Sequence, residues 1–141
     1  DKQIITASEE TTSKIWDTSG QLQVSLESHV DAITCAALST DSRLAATGSD
    51  DADVKVWEAN TGLHLWTGEF ALEPVRAVAF DARSRRLFVA SRRHVTIWDM
   101  GVSNDSKDEI KRFRRCRVGY EFDDGLLRRI KDIDYAGCSA Q

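Results

Sequence analysis

The sequence has few cysteines and no long apolar run. Its three cysteines, Cys35, Cys116 and Cys138, are an odd number without a CxxC spacing, which favours a reducing setting over a disulfide framework. Neither an apolar leader nor a run of about 18 apolar residues is present, so no secretory signal or membrane-spanning helix is indicated. We therefore predict an intracellular protein, in the cytoplasm or nucleus, with Cys35 as a small buried apolar residue.

An excess of charge of one sign is also lacking. Nineteen basic and 23 acidic side chains leave a net charge of −4, which is too small to require a polyanionic partner. His64 and His94 have no Cys, His or carboxylate neighbour at metal-ligand spacing, and the eight glycines are scattered instead of forming a phosphate-binding loop. The sequence therefore predicts no metal and no cofactor. Its composition, 41% hydrophobic and 30% charged, is that of an ordinary globular protein.

A repeat of 41 residues is the strongest feature that the sequence does contain. "SKIWD", "VKVWE" and "VTIWD" place Trp16, Trp57 and Trp98 at two equal intervals. Periods of about 40–45 residues are typical of propeller blades. Apolar runs that end in serine precede each tryptophan and indicate strands flanked by other strands; they lie at 4–8, 44–49 and 87–91.

Each repeat is interpreted as four short antiparallel strands, named a to d, with the tryptophan in strand c. The serine-ended runs are strand b, and Gly-containing turns lead from strand c to strand d. Strand a is expected in the stretches that align Val30 with Val75 and Ile130. The sequence therefore predicts an all-β chain with four-stranded antiparallel blades in an incomplete ring. Its parts are strands b–d of a first blade at 1–26, a second blade at 30–68, a third blade at 75–122 with an inserted loop at about 101–112, and the start of a fourth blade at 130–141.

On these residues the chain resembles the WD40-repeat family, whose blades end in a Trp-Asp pair and form β-propellers. The stretches "IITAS" and "ADVKVWE" are also similar to strands of transducin beta-like proteins. In the WD40 family a buried tetrad of His, Ser, Asp and Trp stabilises a blade, because an indole N–H inside a sheet needs an acceptor. The resemblance implies that His29, Ser49, Asp51 and Trp57 form this structural tetrad in the second blade.

The other two blades match this pattern less well. In the first blade Ser8 is kept, but Glu10 takes the place of the Asp. In the third blade Ser91 is kept, Arg93 falls near the place of the Asp, and Glu73-Pro74 stands where the family has Gly-His. We therefore expect the third blade to lack the hydrogen-bond network.

His29, Ser49 and Asp51 are also the residue types of a hydrolase triad. The WD40 tetrad explains them better, because it buries the serine hydroxyl without a cleft or an oxyanion hole. We therefore predict no catalytic residue and no enzyme activity. The alternative, a hydrolase, requires activity that is lost in Ser49→Ala without loss of folding.

The resemblance implies a non-catalytic scaffold that mediates protein–protein interaction within a multiprotein complex. The alternative is an RNA-associated propeller in ribonucleoprotein or ribosome assembly, for which the basic run at 111–117 offers phosphate contacts. The b–c turns and d–a connections of propellers open on one rim, where aromatic and Arg side chains favour protein partners. The candidate partner-binding residues on this rim are Asp50, Phe70, Leu72, Arg92 and Arg93.

The number of blades is small for a propeller. Propellers contain about 4–8 blades, whereas these residues supply about three. An open array exposes strand edges, and repeat units gain stability from their neighbours. We therefore expect the remaining blades to come from the parent chain or from another polypeptide, and the 141 residues alone to be prone to aggregation.

Overall fold

The computed structural model describes residues 2–69, 73–100, 118–123 and 126–129. Within these ranges the chain forms β-strands and no helix, as the all-β prediction requires. The strands are β1 (Gln3–Ala7), β2 (Thr12–Asp17), β3 (Leu22–Glu27), β4 (Ile33–Leu38), β5 (Leu44–Ser49), β6 (Asp53–Glu58), β7 (His64–Glu69), β8 (Ala77–Phe80), β9 (Arg86–Ala90), β10 (His94–Asp99), β11 (Val118–Asp123) and β12 (Leu126–Arg129).

The strands form three antiparallel sheets that stand side by side. The first sheet has the order β1-β2-β3, the second β4-β5-β6-β7, and the third β8-β9-β10-β11-β12. Strand β4 packs against both β1 and β8, so the second sheet lies between the other two. The architecture is that of a partial propeller built from antiparallel blades, as predicted.

The register of the sheets repeats along the chain. Trp16 pairs with Ile4, Trp57 with Ala45, and Trp98 with Leu87, each across the same pair of strands in its sheet. The three tryptophans therefore occupy equivalent places, in β2, β6 and β10. The 41-residue period of the sequence is thus the period of the structure.

Two backbone hydrogen bonds connect neighbouring sheets and show which residues are equivalent. The N–H of Ile33 donates to the carbonyl of Ser8 at 3.1 Å, and the N–H of Val75 donates to the carbonyl of Ser49 at 3.0 Å. Ile33 is therefore the counterpart of Val75. The predicted alignment of Val30 with Val75 is wrong by three residues, and Val30 is 88% exposed.

The core lies in two layers between the sheets. Side chains alternate across β5, so Ala45 faces the first sheet and Ala46 the third. The layer between the first and second sheets is formed by Ile15, Val24, Leu26, Ala45, Trp57 and Ala59. The layer between the second and third sheets is formed by Ala46, Val54, Val56, Val75, Leu87, Val89 and Met100. Each layer is apolar, so the sheets are held together by burial of apolar surface.

Cys35 packs against the layer between the second and third sheets. It is half-buried, whereas the sequence predicted a buried residue, and its burial raises the pKa of the thiol. The sulfur therefore acts as packing material in the thiol form. Cys116 and Cys138 lie outside the described residues.

The third sheet differs from the others at its outer edge. Strand β11 pairs with β10 as strand d of this sheet, at the end of the range of 75–122 predicted for the third blade. Strand β12, at 126–129, adds a fifth strand that the sequence did not predict, because four residues are too few to show a period. The predicted loop at about 101–112 and the predicted start of a fourth blade at 130–141 lie outside the described residues.

Across the described ranges, nothing helical is long or apolar enough to span a bilayer.

Candidate functional site

Four polar side chains form a buried hydrogen-bond chain in the second sheet. The indole N–H of Trp57 donates to Thr47 Oγ1 at 3.0 Å. Thr47 Oγ1 lies 2.8 Å from His29 Nε2, and His29 Nδ1 lies 2.9 Å from Asp51 Oδ2. Thr47 is 0% exposed and Trp57 is 3% exposed. The chain therefore links strands β5 and β6 to the segment before β4.

The direction of each hydrogen bond follows from the two ends of the chain. The Asp51 carboxylate can only accept, so His29 Nδ1 carries the proton and His29 Nε2 is the acceptor. The hydroxyl of Thr47 therefore donates to Nε2 while its oxygen accepts the indole N–H. Asp51 also accepts the backbone N–H groups of Val30 and Asp53, at 3.1 and 2.9 Å. Every group in the chain thus has a partner, which a buried polar network requires.

Burial sets the protonation states in this chain. Burial lowers the pKa of His29, and the hydrogen bond to Asp51 opposes this shift only in part. Burial alone would raise the pKa of Asp51, but the N–H of Asp53 and the ring of His29 outweigh it and lower that pKa. The folded protein therefore holds neutral His29 against charged Asp51.

This protonation state predicts a pH-dependent stability. Because the pKa of His29 is lower in the folded than in the unfolded chain, His29 contributes its full stabilisation above its ordinary value of 6.5. The free energy of unfolding should fall as the pH drops below that value towards the folded pKa. Urea denaturation of the full-length chain at about pH 7.5 and about pH 5.5 measures the change.

The control variant is His29→Gln, which removes the titrating group. His64 also has a pKa lowered by burial, so the wild type alone would not isolate His29. The difference in slope between wild type and variant is the contribution of His29. An unchanged slope in the variant would contradict the assignment.

Ser49 is not a member of this hydrogen-bond chain, contrary to the predicted tetrad of His29, Ser49, Asp51 and Trp57. The structure brings His29, Asp51 and Trp57 together but puts Thr47 where Ser49 was expected. Trp57 pairs with Ala45, and the nearest residue on the same face of β5 is two positions along. Ser49 is two positions further, about 7 Å along the strand, so its hydroxyl is out of reach of the indole.

The hydroxyl of Ser49 closes the turn between β5 and β6. It donates to the carbonyl of Asp31 and accepts the N–H of Asp51, both at 3.1 Å. Ser8 accepts the N–H of Glu10 at 3.1 Å in the same way. The serine at the end of each strand b is thus a turn residue.

A threonine ten residues before the tryptophan, present in the first two repeats, is the sequence signal for the acceptor of the indole N–H. Thr6 Oγ1 accepts the indole N–H of Trp16 at 3.0 Å, as Thr47 does for Trp57. In the third sheet the register places Val89 there, two positions after the partner of Trp98, and valine has no hydroxyl. Comparison of the two threonines would have identified the acceptor from the sequence.

A different polar cluster occupies the corresponding end of the third sheet. The Ser91 hydroxyl donates to Glu73 Oε2 at 2.6 Å, and His94 Nδ1 lies 3.5 Å from the same oxygen. The Ser91 hydrogen bond lowers the pKa of Glu73, and His94 and Arg93 add to the shift. With Ile33 aligned to Val75, Glu73 is the counterpart of Asp31 in the repeat. It is not the counterpart of the Gly-His pair, contrary to the prediction from the sequence. Glu73 is therefore a charged anchor for the turn that follows β9.

Three of the five predicted partner-binding residues, Asp50, Arg92 and Arg93, lie at turns on one rim of the described structure. Asp50 follows β5 and forms an ion pair with Arg76 at 2.8 Å. Arg92 and Arg93 are exposed in the turn between β9 and β10. With Glu73 and Pro74 they line a cavity of about 500 Å³. The two apolar candidates, Phe70 and Leu72, lie outside the described residues.

A second cavity, of about 790 Å³, opens on the opposite rim between the first and second sheets. Asp17 and Asp41 line it, but both carboxylates are engaged by their own turns. Asp17 accepts the N–H groups of Ser19 and Gln21, and Asp41 accepts that of Arg43. These carboxylates therefore stabilise turns.

The arrangement does not form a hydrolase triad. Both ring nitrogens of His29 are bonded, one to Thr47 and one to Asp51, so His29 is not placed to take a proton from Ser49. In the part of the chain that the structure describes, no three His, Cys, Asp or Glu side chains are grouped as metal ligands. His29, Ser49 and Asp51 are therefore all engaged in hydrogen bonds that hold the second sheet and its turn.

Comparison with known proteins agrees with the fold. A family model described as "WD domain, G-beta repeat" matches residues 20–58. The chain is 34% identical over 89 residues to eukaryotic translation initiation factor 3 subunit I of Debaryomyces hansenii, covering 62% of this chain and 25% of that protein. It is 28% identical over 115 residues to small ribosomal subunit protein RACK1y of Oryza sativa subsp. japonica, covering 79% and 34%.

A solved structure is similar as well. The crystal structure of the computationally designed Ika8 protein matches with a TM-score of 0.63 and 29% identity, over 72% of this chain and 31% of that one. The chain spans about a quarter to a third of the curated relatives described above. Residues 20–58 thus match a WD40 repeat, and the repeated tryptophan register makes the sheets on either side similar to it.

Proposed function

We propose that this chain is part of a non-catalytic WD40 scaffold that holds protein partners in a multiprotein complex. The observation that carries the proposal is that two groups of polar residues in this chain have different environments. Those that could support chemistry, His29, Ser49 and Asp51, are used in structural hydrogen bonds. Arg92 and Arg93 are instead presented to solvent beside a cavity. Such a surface serves binding better than catalysis.

The partner surface of this proposal is the rim that carries the turns after β5 and β9. Asp50, Arg92 and Arg93 lie there, and Phe70 and Leu72 are its proposed apolar members. Arginine and aromatic side chains are favoured as anchors in protein interfaces. Two of the relatives, an initiation factor subunit and a ribosomal subunit protein, support an intracellular scaffold within an assembly.

A second candidate function, an RNA-associated propeller in ribonucleoprotein or ribosome assembly, rests on the same two arginines. Guanidinium groups bind phosphate as readily as carboxylate. The ribosomal relative favours this alternative. Binding through phosphate contacts would weaken steeply with salt, because counterions are released from the nucleic acid.

Affinity purification of the full-length chain, with and without ribonuclease, tests the proposal. We expect the same proteins in constant proportion after ribonuclease treatment and only a shallow dependence on salt. A matched purification from cells that lack the tagged chain is the control. Loss of the captured proteins on ribonuclease treatment would support the RNA-associated alternative and overturn direct protein binding.

A further inference from the structure

The positive charges of the rim are balanced unequally. Arg76 is paired with Asp50 at 2.8 Å, so the charge of Arg76 is balanced by an ion pair. Within residues 2–69 and 73–100, neither Arg92 nor Arg93 forms an ion pair. The turn after β9 therefore presents two guanidinium groups without a direct ion pair among the described residues, and the charge of Glu73 acts on Arg93 through its electrostatic field.

The acid that lines the cavity is already engaged. Glu73 Oε2 accepts the Ser91 hydroxyl at 2.6 Å and lies 3.5 Å from the His94 ring. Its lowered pKa keeps it charged and bound to this turn. Glu73 therefore stabilises the base of the turn, and neither guanidinium group forms an ion pair with it.

The backbone that carries the two arginines is also held in place. Ser91 Oγ accepts the N–H groups of Arg93 and His94, at 3.3 and 3.1 Å. Pro74 forms the facing wall, where its ring restricts the backbone. A surface ordered before binding loses less entropy when a partner docks.

We propose that the cavity lined by Glu73, Pro74, Arg92 and Arg93 docks an acidic segment of a protein partner. This inference rests on the proposed scaffold function and names the chemistry of its partner. The planar fork of each guanidinium matches a carboxylate with two parallel hydrogen bonds. The cavity is an open concavity of about 500 Å³, so an extended segment can reach both guanidinium groups from the solvent side.

An acidic peptide fits this cavity better than RNA does. Single-stranded nucleic acid is bound on aromatic side chains that stack with its bases. Among the residues that the structure describes, the four that line the cavity include no aromatic ring. The charged Glu73 would also oppose a continuous run of phosphates, whereas spaced carboxylates can approach the two arginines separately.

The test is a binding titration of the full-length chain with three probes: a short glutamate-rich peptide, a lysine-rich peptide of equal length, and a single-stranded RNA of similar charge. The variant is Arg92→Glu/Arg93→Glu. The matched control is Arg83→Glu/Arg85→Glu, which changes the charge equally at exposed positions at the other end of β9. Thermal melts of both variants check folding, and Arg92→Gln/Arg93→Gln supplies a milder change should the first variant fold poorly.

We expect the glutamate-rich peptide to bind and the lysine-rich peptide not to bind. The rim variant should weaken binding at least about tenfold, and the control should change it less than about twofold. Equal weakening by both variants, or tighter binding of RNA than of the acidic peptide, would overturn the docking proposal. If none of the three probes binds while ribonuclease-resistant protein capture persists, the docking proposal fails and the scaffold function stands.

Discussion

Thr47→Val should lower the free energy of unfolding of the 141-residue chain by about 2–6 kcal/mol. Valine keeps the shape of threonine but removes the hydroxyl that joins Trp57 to His29. Each buried polar group left without a partner costs about 1–3 kcal/mol, and this change leaves two. Urea denaturation followed by tryptophan fluorescence measures the loss.

Thr6→Val is the matched control, because it removes the same kind of hydrogen bond in the first sheet. Thr6 accepts the indole N–H of Trp16 at 3.0 Å, but Thr6 is exposed within the 141 residues, so water can replace its hydroxyl there. This variant should cost less than about 0.5 kcal/mol. Equal losses of unfolding free energy in the two variants would show that burial does not determine how much the hydrogen bond of Thr47 stabilises the fold.

Gly48→Ala should destabilise the full-length chain by about 1–3 kcal/mol, the usual cost of overpacking a core. An added Cβ at Gly48 would lie 2.4 Å from Val75 Cγ1 and 2.8 Å from Cys35 Sγ. Both neighbours belong to the packing between the second and third sheets. Thr34 Oγ1 also donates to the carbonyl of Val75 at 2.5 Å, which limits the movement of that residue.

A double-mutant cycle with Val75→Ala tests the origin of this cost. Val75→Ala removes the methyl group that the new Cβ would strike, so Gly48→Ala/Val75→Ala should be less destabilised than the sum of the single variants. We expect a coupling of about 1 kcal/mol or more, as is found for residues in contact. If the costs of the two single variants simply add, the destabilisation by Gly48→Ala does not come from a clash with the Val75 side chain.

The blades could be predicted from the sequence because the tryptophans mark the register directly. Trp16, Trp57 and Trp98 recur at one interval, and each pairs with the first part of its strand b. An indole ring fills the same space in each sheet, so its spacing cannot drift without loss of packing. The fold therefore followed from the repeat alone.

The partner of Trp57 could not be chosen correctly from the repeat. Ser49 ends the apolar run and stands beside Asp51 in the sequence, which made it the natural member of the tetrad. The choice between Ser49 and Thr47 depends on how far along β5 the indole reaches, and that distance is set by the pairing of Trp57 with Ala45. Cross-strand register of this kind is a tertiary property.

The alignment of strand a failed for a related reason. Val30 matched the apolar pattern, but its N–H is bonded to the Asp51 carboxylate and its side chain is 88% exposed. The true counterpart of Val75, Ile33, is 4% exposed and lies three residues later. Apolar residues at both positions made the pattern ambiguous, and the hydrogen bonds between the sheets resolve it.

An experimentally determined structure of the full-length chain tests the central claim, that these residues are consecutive blades of one propeller. We expect sheets β1–β3, β4–β7 and β8–β12 side by side around one axis, with the three tryptophans in equivalent strands and the Trp57 indole on Thr47. Tryptophans in non-equivalent strands, or sheets that do not share an axis, would contradict it.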